Sequence, residues 1–234
     1  MQNEHPVLGI LGGLGPMSTV YFYQMLTEHT PAQCDQDHLD IVISSRASTP
    51  DRTAYILGES EDDPFAQMER DAEMLVKYGA TILAIPCNTA HYFYDRLARS
   101  LPVPILNMVR LTVQHAKAQG CTRLGILATS GTVGSCTYQR MCRAEDFAIP
   151  SLPRQTQLMN IIYDQIKKGQ RADMKIFMEI AAELRAVGCE KAVLGCTELS
   201  LIKRDEGLDD FFIDSTEVLA EETLLACGKT PIGF

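Results

Sequence analysis

The sequence predicts an α/β fold built from two similar parallel-sheet halves, and three observations carry that prediction. Short apolar runs alternate with helical patterns from one end of the chain to the other. The runs are strand-sized and continuously apolar, as expected of parallel strands covered by helices on both faces. Two pairs of segments also repeat in the same order, which points to an internal duplication.

The elements follow in sequence. Residues 7–11 read as a buried strand leading into a glycine-rich turn, and 17–28 as a helix. A second strand covers 39–44, followed by a polar loop through Ser48-Thr49-Pro50-Asp51-Arg52. The 65–77 helix carries Met68, Ala72, Leu75 and Val76 on one face, and 81–85 is a third strand. The pattern then restarts. A helix closes over 113–118, a strand covers 123–127, and Thr129-Ser130-Gly131-Thr132 follows. Helices are expected near 133–143, 157–168 and 172–187, with strands at 191–194 and 211–213. Asp214-Ser215-Thr216 then offers capping side chains to a last helix reaching about residue 226.

The repeats define the two halves. Gly9-Ile10-Leu11 resembles Gly125-Ile126-Leu127. The segment from Gly79 through Ile85-Pro86-Cys87-Asn88-Thr89 parallels the one from Gly188 through Leu194-Gly195-Cys196-Thr197-Glu198. In both, a helix ends at glycine, a strand follows, and a cysteine falls eight residues after that glycine.

Composition removes several classes of function. The formal net charge is −9 with no basic stripe, which argues against nucleic acid as a partner. The start has neither a basic nor an apolar signal region, and no apolar stretch approaches membrane length, so a cytoplasmic location is expected. Eight cysteines lie at 34, 87, 121, 136, 142, 189, 196 and 227, none in a C-x-x-C pair. Zinc-ribbon and thioredoxin-like sites therefore lack their spacing, and most of the eight read as small buried hydrophobes. Gly12-Gly13-Leu14-Gly15-Pro16 does not complete G-x-G-x-x-G, so the turn reads as tight backbone near a ligand carboxylate rather than a dinucleotide site.

Cys87 and Cys196 stand apart from the other cysteines. Each lies just past the carboxyl end of a strand, the sheet edge where ligands bind in open α/β folds. Each also precedes a predicted helix, whose N-terminus lowers a thiol pKa. Two facing halves would set one thiol on each side of a bound molecule. That arrangement suits inversion of a stereocentre, where one group removes a proton and a like group returns one to the opposite face. Asn88, Thr89 and Thr197, with backbone N–H groups at the helix starts, could hold the substrate carboxylate and its developing charge. A cysteine hydrolase would instead want a histidine partner, and only His91 is near in sequence. Arg52 and Lys167 read as solvated charges from the pattern alone, and Glu198 as a carboxylate complementing a helix dipole.

With these residues assembled, the chain resembles the aspartate/glutamate racemase superfamily, and within it the aspartate racemases most closely. The motifs are Gly9-Ile10-Leu11-Gly12-Gly13-Leu14-Gly15-Pro16, Pro86-Cys87-Asn88-Thr89-Ala90-His91 and Gly195-Cys196-Thr197-Glu198-Leu199. The resemblance implies two α/β domains related by a pseudo-twofold, with the active site in the cleft between them. It implies 1–108 plus 212–234 as one domain and 109–211 as the other. It further implies racemisation without pyridoxal phosphate or metal, on a dicarboxylic amino acid, by a homodimer. Cys87 and Cys196 become acid and base. Arg52, in Pro50-Asp51-Arg52-Thr53, and Lys167, in Tyr163-Asp164-Gln165-Ile166-Lys167, become holders of the side-chain carboxylate. Gly12, Gly13, Leu14, Asn88, Thr89, Thr129, Thr197 and Glu198 complete the expected binding set. Leu14 stands where the family commonly has methionine. The alternatives are a glutamate or broad-specificity racemase, an amino-acid-binding relative without catalysis, and a thiol redox sensor, which would need two bridgeable cysteines.

Overall fold

A computed structural model describes residues 6–234; the five residues before Pro6, on which the absence of a signal region was read, lie outside the described part. The chain forms two parallel sheets. The first half contains β1 (Val7–Gly12), α1 (Pro16–Glu28), β2 (Asp40–Ser45), α2 (Arg52–Ile56), α3 (Phe65–Lys77), β3 (Ile82–Ala84) and α4 (Tyr94–Ser100). Then come α5 (Met108–Ala118), β4 (Leu124–Ala128), α6 (Ser130–Gly134), β5 (Phe147–Ala148), α7 (Leu152–Asn160) and α8 (Met174–Ala186). The chain closes with β6 (Lys191–Gly195), α9 (Thr197–Glu206), β7 (Phe212–Asp214) and α10 (Ser215–Ala226). The strand orders are β2-β1-β3 and β5-β4-β6-β7, with every pairing parallel. The expected α/β class with two parallel-sheet regions is the observed one.

Local chemistry explains the boundaries. Pro16 opens α1, where its missing N–H would have had no partner. Asp51, Asn107, Thr129, Asp173 and Asp214 each accept a backbone N–H at the start of a helix. Gly207 ends α9 in the left-handed region at φ 63°. The central strands β1, β4 and β6 are buried on both faces, which is why they read as uninterrupted apolar runs. Fully buried side chains such as Leu8, Phe22, Leu83, Phe177 and Leu194 each contribute roughly 1.5–3 kcal/mol.

Three segments depart from expectation. The helix expected over 133–143 ends at Gly134, and Cys136 sits at φ 56° before two short turns. The helix expected over 157–168 is α7 followed by a wide π-type turn, Ile161–Gln165, and a tight turn, Ile166–Lys168, closed by Gly169 at φ 73°. The periodic apolar pattern survives both irregularities, which hides them from a sequence reading. The third departure concerns 212–234, assigned by resemblance to the first half. Within it, β7 hydrogen-bonds to β6 in the second sheet, because Phe211 and Phe212 need the cover of Phe177 and Arg185 there. Helix α10 instead sends Leu219 and Leu224 against Leu8, Ile10 and Phe22 of the first half.

Candidate active site

The two cysteine loops meet where the carboxyl ends of β3 and β6 converge. A tight cavity, with only about 10 Å³ open to a water-sized sphere, is lined by Leu14, Asp51, Arg52, Thr53, Cys87, Asn88, Thr89, Thr129, Tyr163, Lys167, Cys196, Thr197 and Glu198. Ten of these thirteen were expected from the sequence together with the family likeness. Asp51, Arg52, Lys167 and Glu198 also line an adjoining open cleft, so they stand between the cavity and the surface.

Cys196 is the N-cap of α9 and lies buried, as does Cys87. Its thiol is 2.9 Å from Glu198 Oε2, while Glu198 Oε1 accepts from Lys167 Nζ. Burial and then the Glu198 charge hold the Cys196 thiol well above its ordinary pKa; Lys167 and the Glu198 backbone N–H pull the other way and lose. The expectation that a helix start would lower this thiol is thereby reversed, since desolvation and a neighbouring carboxylate outweigh the end of one helix. Burial works against the charge on Lys167, but Glu198 and Cys196 overcome it and raise the lysine pKa.

Cys87 is followed by a tight-turn segment, Thr89–Phe93, rather than an α-helix; α4 begins only at Tyr94. His91 is buried, and its Nδ1 lies 2.9 Å from the Cys87 carbonyl while its Nε2 accepts the Met108 N–H. The second contact requires an unprotonated Nε2, so Nδ1 carries the hydrogen. Burial depresses the His91 pKa. His91 therefore fastens the Cys87 loop to α5 and is not among the lining residues.

Arg52 is 8% exposed and sits at the first position of α2. Its Nη1 donates to the Thr49 and Pro50 carbonyls and its Nη2 to the Leu14 carbonyl. Nε has no partner, and among the described residues no carboxylate forms an ion pair with Arg52. This buried cation is not a solvated surface charge. Lys167, by contrast, already has Glu198.

Other expected binding groups are committed to the protein. Asn88 Oδ1 accepts from Tyr138 Oη at 2.6 Å, and Nδ2 donates to Ser215 Oγ at 2.9 Å. Thr89 Oγ1 lies 2.9 Å from both Thr129 Oγ1 and Thr132 Oγ1, a hydroxyl cluster that joins the two halves. Gly12 and Gly13 do not line the cavity. A Cβ on Gly12 would meet Thr19 at 2.4 Å and one on Gly13 would meet the Arg46 backbone at 2.2 Å, so these glycines serve close packing. The Gly13 N–H donates to Thr19 Oγ1 and is not free for a ligand. Tyr163, part of the motif around Lys167 but outside the expected binding set, lines the cavity, and its hydroxyl reaches Asp51 at 3.3 Å. Its position one turn before Lys167 was the available signal.

Two parallel-sheet regions with a buried thiol at the end of a strand in each, around one cavity, describe a class of protein that presents two sulfurs to one small ligand. The chain belongs to the Asp/Glu/Hydantoin racemase family, which it matches over residues 11–223. It is similar to the broad specificity amino-acid racemase RacX of Bacillus subtilis, 25% identical over 93% of this chain and 96% of that protein. It is also similar to the solved aspartate racemase of Picrophilus torridus, with 28% identity, 97% and 96% of the two chains covered, and a TM-score of 0.81. The glutamate racemase of Thermus thermophilus shares the fold, with 21% identity, 98% and 84% of the two chains covered, and a TM-score of 0.62. The chain is thus an amino-acid racemase, an isomerase. No helix among the described residues is long and apolar enough to cross a membrane.

Proposed function

We propose that this racemase interconverts the two enantiomers of aspartate by a two-base mechanism in which Cys87 and Cys196 work on opposite faces of Cα. The observation that carries the choice of a dicarboxylic substrate is Arg52, a buried guanidinium that lines the same cavity as both thiols and has no carboxylate of its own among the described residues. A second carboxylate on the substrate would supply the missing counter-ion, with Nε still unpartnered to receive it. The likeness to the P. torridus aspartate racemase favours the shorter dicarboxylate.

In one direction the Cys87 thiolate takes the α-proton. The Cα–H bond breaks and its electron pair delocalises into the substrate carboxylate. The Cys196 thiol then gives its proton to the other face of Cα, leaving Cys196 as thiolate and Cys87 as thiol. Backbone N–H groups at the start of α9, around Thr197, stabilise the developing charge. Glu198, 2.9 Å from Cys196, keeps that sulfur protonated at rest. For the reverse direction to start from this resting form, Cys196 must first pass its proton to Glu198 and Cys87 must take one up from solvent.

We further propose a cofactor-independent reaction by a cytoplasmic homodimer, as expected from the sequence motifs and the resemblance they carry. The competing reading is a broad-specificity racemase, which the likeness to RacX favours. Chiral chromatography of aspartate, glutamate and alanine after incubation with the protein tests both. Conversion of aspartate well ahead of the other two is the expected result; equal turnover of alanine would favour the broader reading.

A further inference from the structure

Tyr138 touches both cysteine loops, although it does not line the cavity. Its ring packs on Gly195, the residue before Cys196; a Cβ there would lie 3.3 Å from Tyr138 Cε2. Its hydroxyl donates at 2.6 Å to Oδ1 of Asn88, the residue after Cys87. Asn88 Nδ2 then donates to Ser215 Oγ, and Ser215 donates at 2.7 Å to the Leu194 carbonyl, two residues before Cys196. The single Ser215 proton goes to Leu194, so the amide group facing Ser215 must be the donor, which fixes the Asn88 orientation. Tyr138 and Ser215 are both 0% exposed. Burial comes first in pushing the Tyr138 hydroxyl pKa up, so the hydroxyl remains a donor. The two routes, one through an aromatic ring and one through a serine, join the same pair of loops.

We propose that Tyr138 and Ser215 are positioning residues that set the gap between the Cys87 and Cys196 thiols. This rests on the two-thiol reading above. The logic is geometric. Each thiol must stay in line with one face of Cα, and a misplacement of about 1 Å costs on the order of a hundredfold in rate. The ring acts as a spacer against Gly195, and the two hydrogen bonds prevent Asn88 from sliding along it. Neither residue contacts the cavity, so their effect falls on alignment and not on substrate affinity.

The test uses Tyr138→Phe, which keeps the ring, Ser215→Ala, and Gly195→Ala, which pushes on the ring from the other side. Racemisation of aspartate is followed alongside exchange of the α-hydrogen in D₂O without inversion. A shifted thiol can still remove a proton while its partner fails to deliver one. Inversion is therefore expected to fall about tenfold or more with KM held within about twofold, and exchange per inversion to rise. Wild-type kcat and an unchanged exchange-to-inversion ratio in folded Tyr138→Phe and Ser215→Ala overturn the proposal. If Tyr138→Phe does not fold, Ser215→Ala and Gly195→Ala decide by the same ratio. A parallel loss of exchange and inversion also overturns it, because that is the mark of general destabilisation. A wild-type protein that neither exchanges nor inverts any amino acid sinks the racemase reading first, and this proposal with it.

Discussion

Replacing Arg52 separates a substrate-binding role from a structural one, because the structure gives the guanidinium both. Three of its hydrogen bonds go to backbone carbonyls of Leu14, Thr49 and Pro50, and its charge has no carboxylate partner. A charge-assisted hydrogen bond contributes roughly 1.5–3 kcal/mol. Losing one such contact to a substrate side-chain carboxylate corresponds to about ten- to 150-fold in kcat/KM. Aspartate should suffer that loss in Arg52→Ala, whereas alanine, which has no second carboxylate, should change less than about threefold. Arg52→Lys should fall between, since it keeps the charge but loses the planar fork. The same truncation leaves buried carbonyls unpaired at roughly 1–3 kcal/mol each. Urea melts of each variant must therefore accompany the kinetics, to confirm that the assayed protein is folded. Equal proportional losses for aspartate and alanine in a folded variant would refute the dicarboxylate argument.

Other outcomes follow from the thiols and from one buried carboxyl. Cys87→Ala and Cys196→Ala should each reduce racemisation in both directions by on the order of 10²–10⁴, measured by chiral chromatography; near wild-type turnover in either ends the two-base model. The pH profile of kcat/KM should be bell-shaped, and Glu198→Gln should move its alkaline limb downward, because it removes a charge that raises Cys196; an unmoved limb would contradict that assignment. Mass-spectrometric alkylation should find Cys196 unreactive until alkaline pH, with the onset at lower pH in Glu198→Gln; labelling of Cys196 at neutral pH as fast as exposed Cys34 would be inconsistent with it. Asp214, its carboxyl pushed up to about 6 first by burial and then by Glu217, binds its proton more tightly folded than unfolded. Its contribution is therefore complete below about pH 4 and is lost as pH rises through 6, on the order of 3 kcal/mol, and Asp214→Asn should flatten that stability loss in melts between pH 4 and 7.5.

Sequence could show where the site lies, because that information is local. A cysteine at the end of an apolar run and before a helix start needs only its own neighbours to be recognised, and the repeat around Gly79 and Gly188 gave the pair. Sequence could not show what each polar group would bind, because those partners lie far along the chain. Asn88 reaches Ser215 across 127 positions, and Thr89 reaches Thr129 across 40. A residue such as Asn88 at a strand end therefore looks like a ligand group, while its actual neighbours come from the other half. Burial, which a local pattern does not report, reversed the reading of Cys196. Its place at a helix start argues for an acidic thiol, but burial and a carboxylate two residues on in the same turn argue more strongly the other way.

The reversal also assigns unequal duties to two residues that the repeat makes look alike. Cys196 has a carboxylate and an ammonium in contact series through Glu198 and Lys167. The corresponding place in the first repeat holds Thr89, whose hydroxyl is bound to Thr129 and Thr132 and has no charge. The proposed two-base mechanism needs one thiol and one thiolate in each direction, and two identical thiols would divide themselves among unproductive states in which both or neither carry a proton. A carboxylate hydrogen-bonded to one thiol only biases the resting enzyme toward one productive form. It also leaves a proton acceptor within reach for the other. In the proposed mechanism the departure from symmetry at Glu198 thus serves the same chemistry that the symmetry of the two cysteines serves.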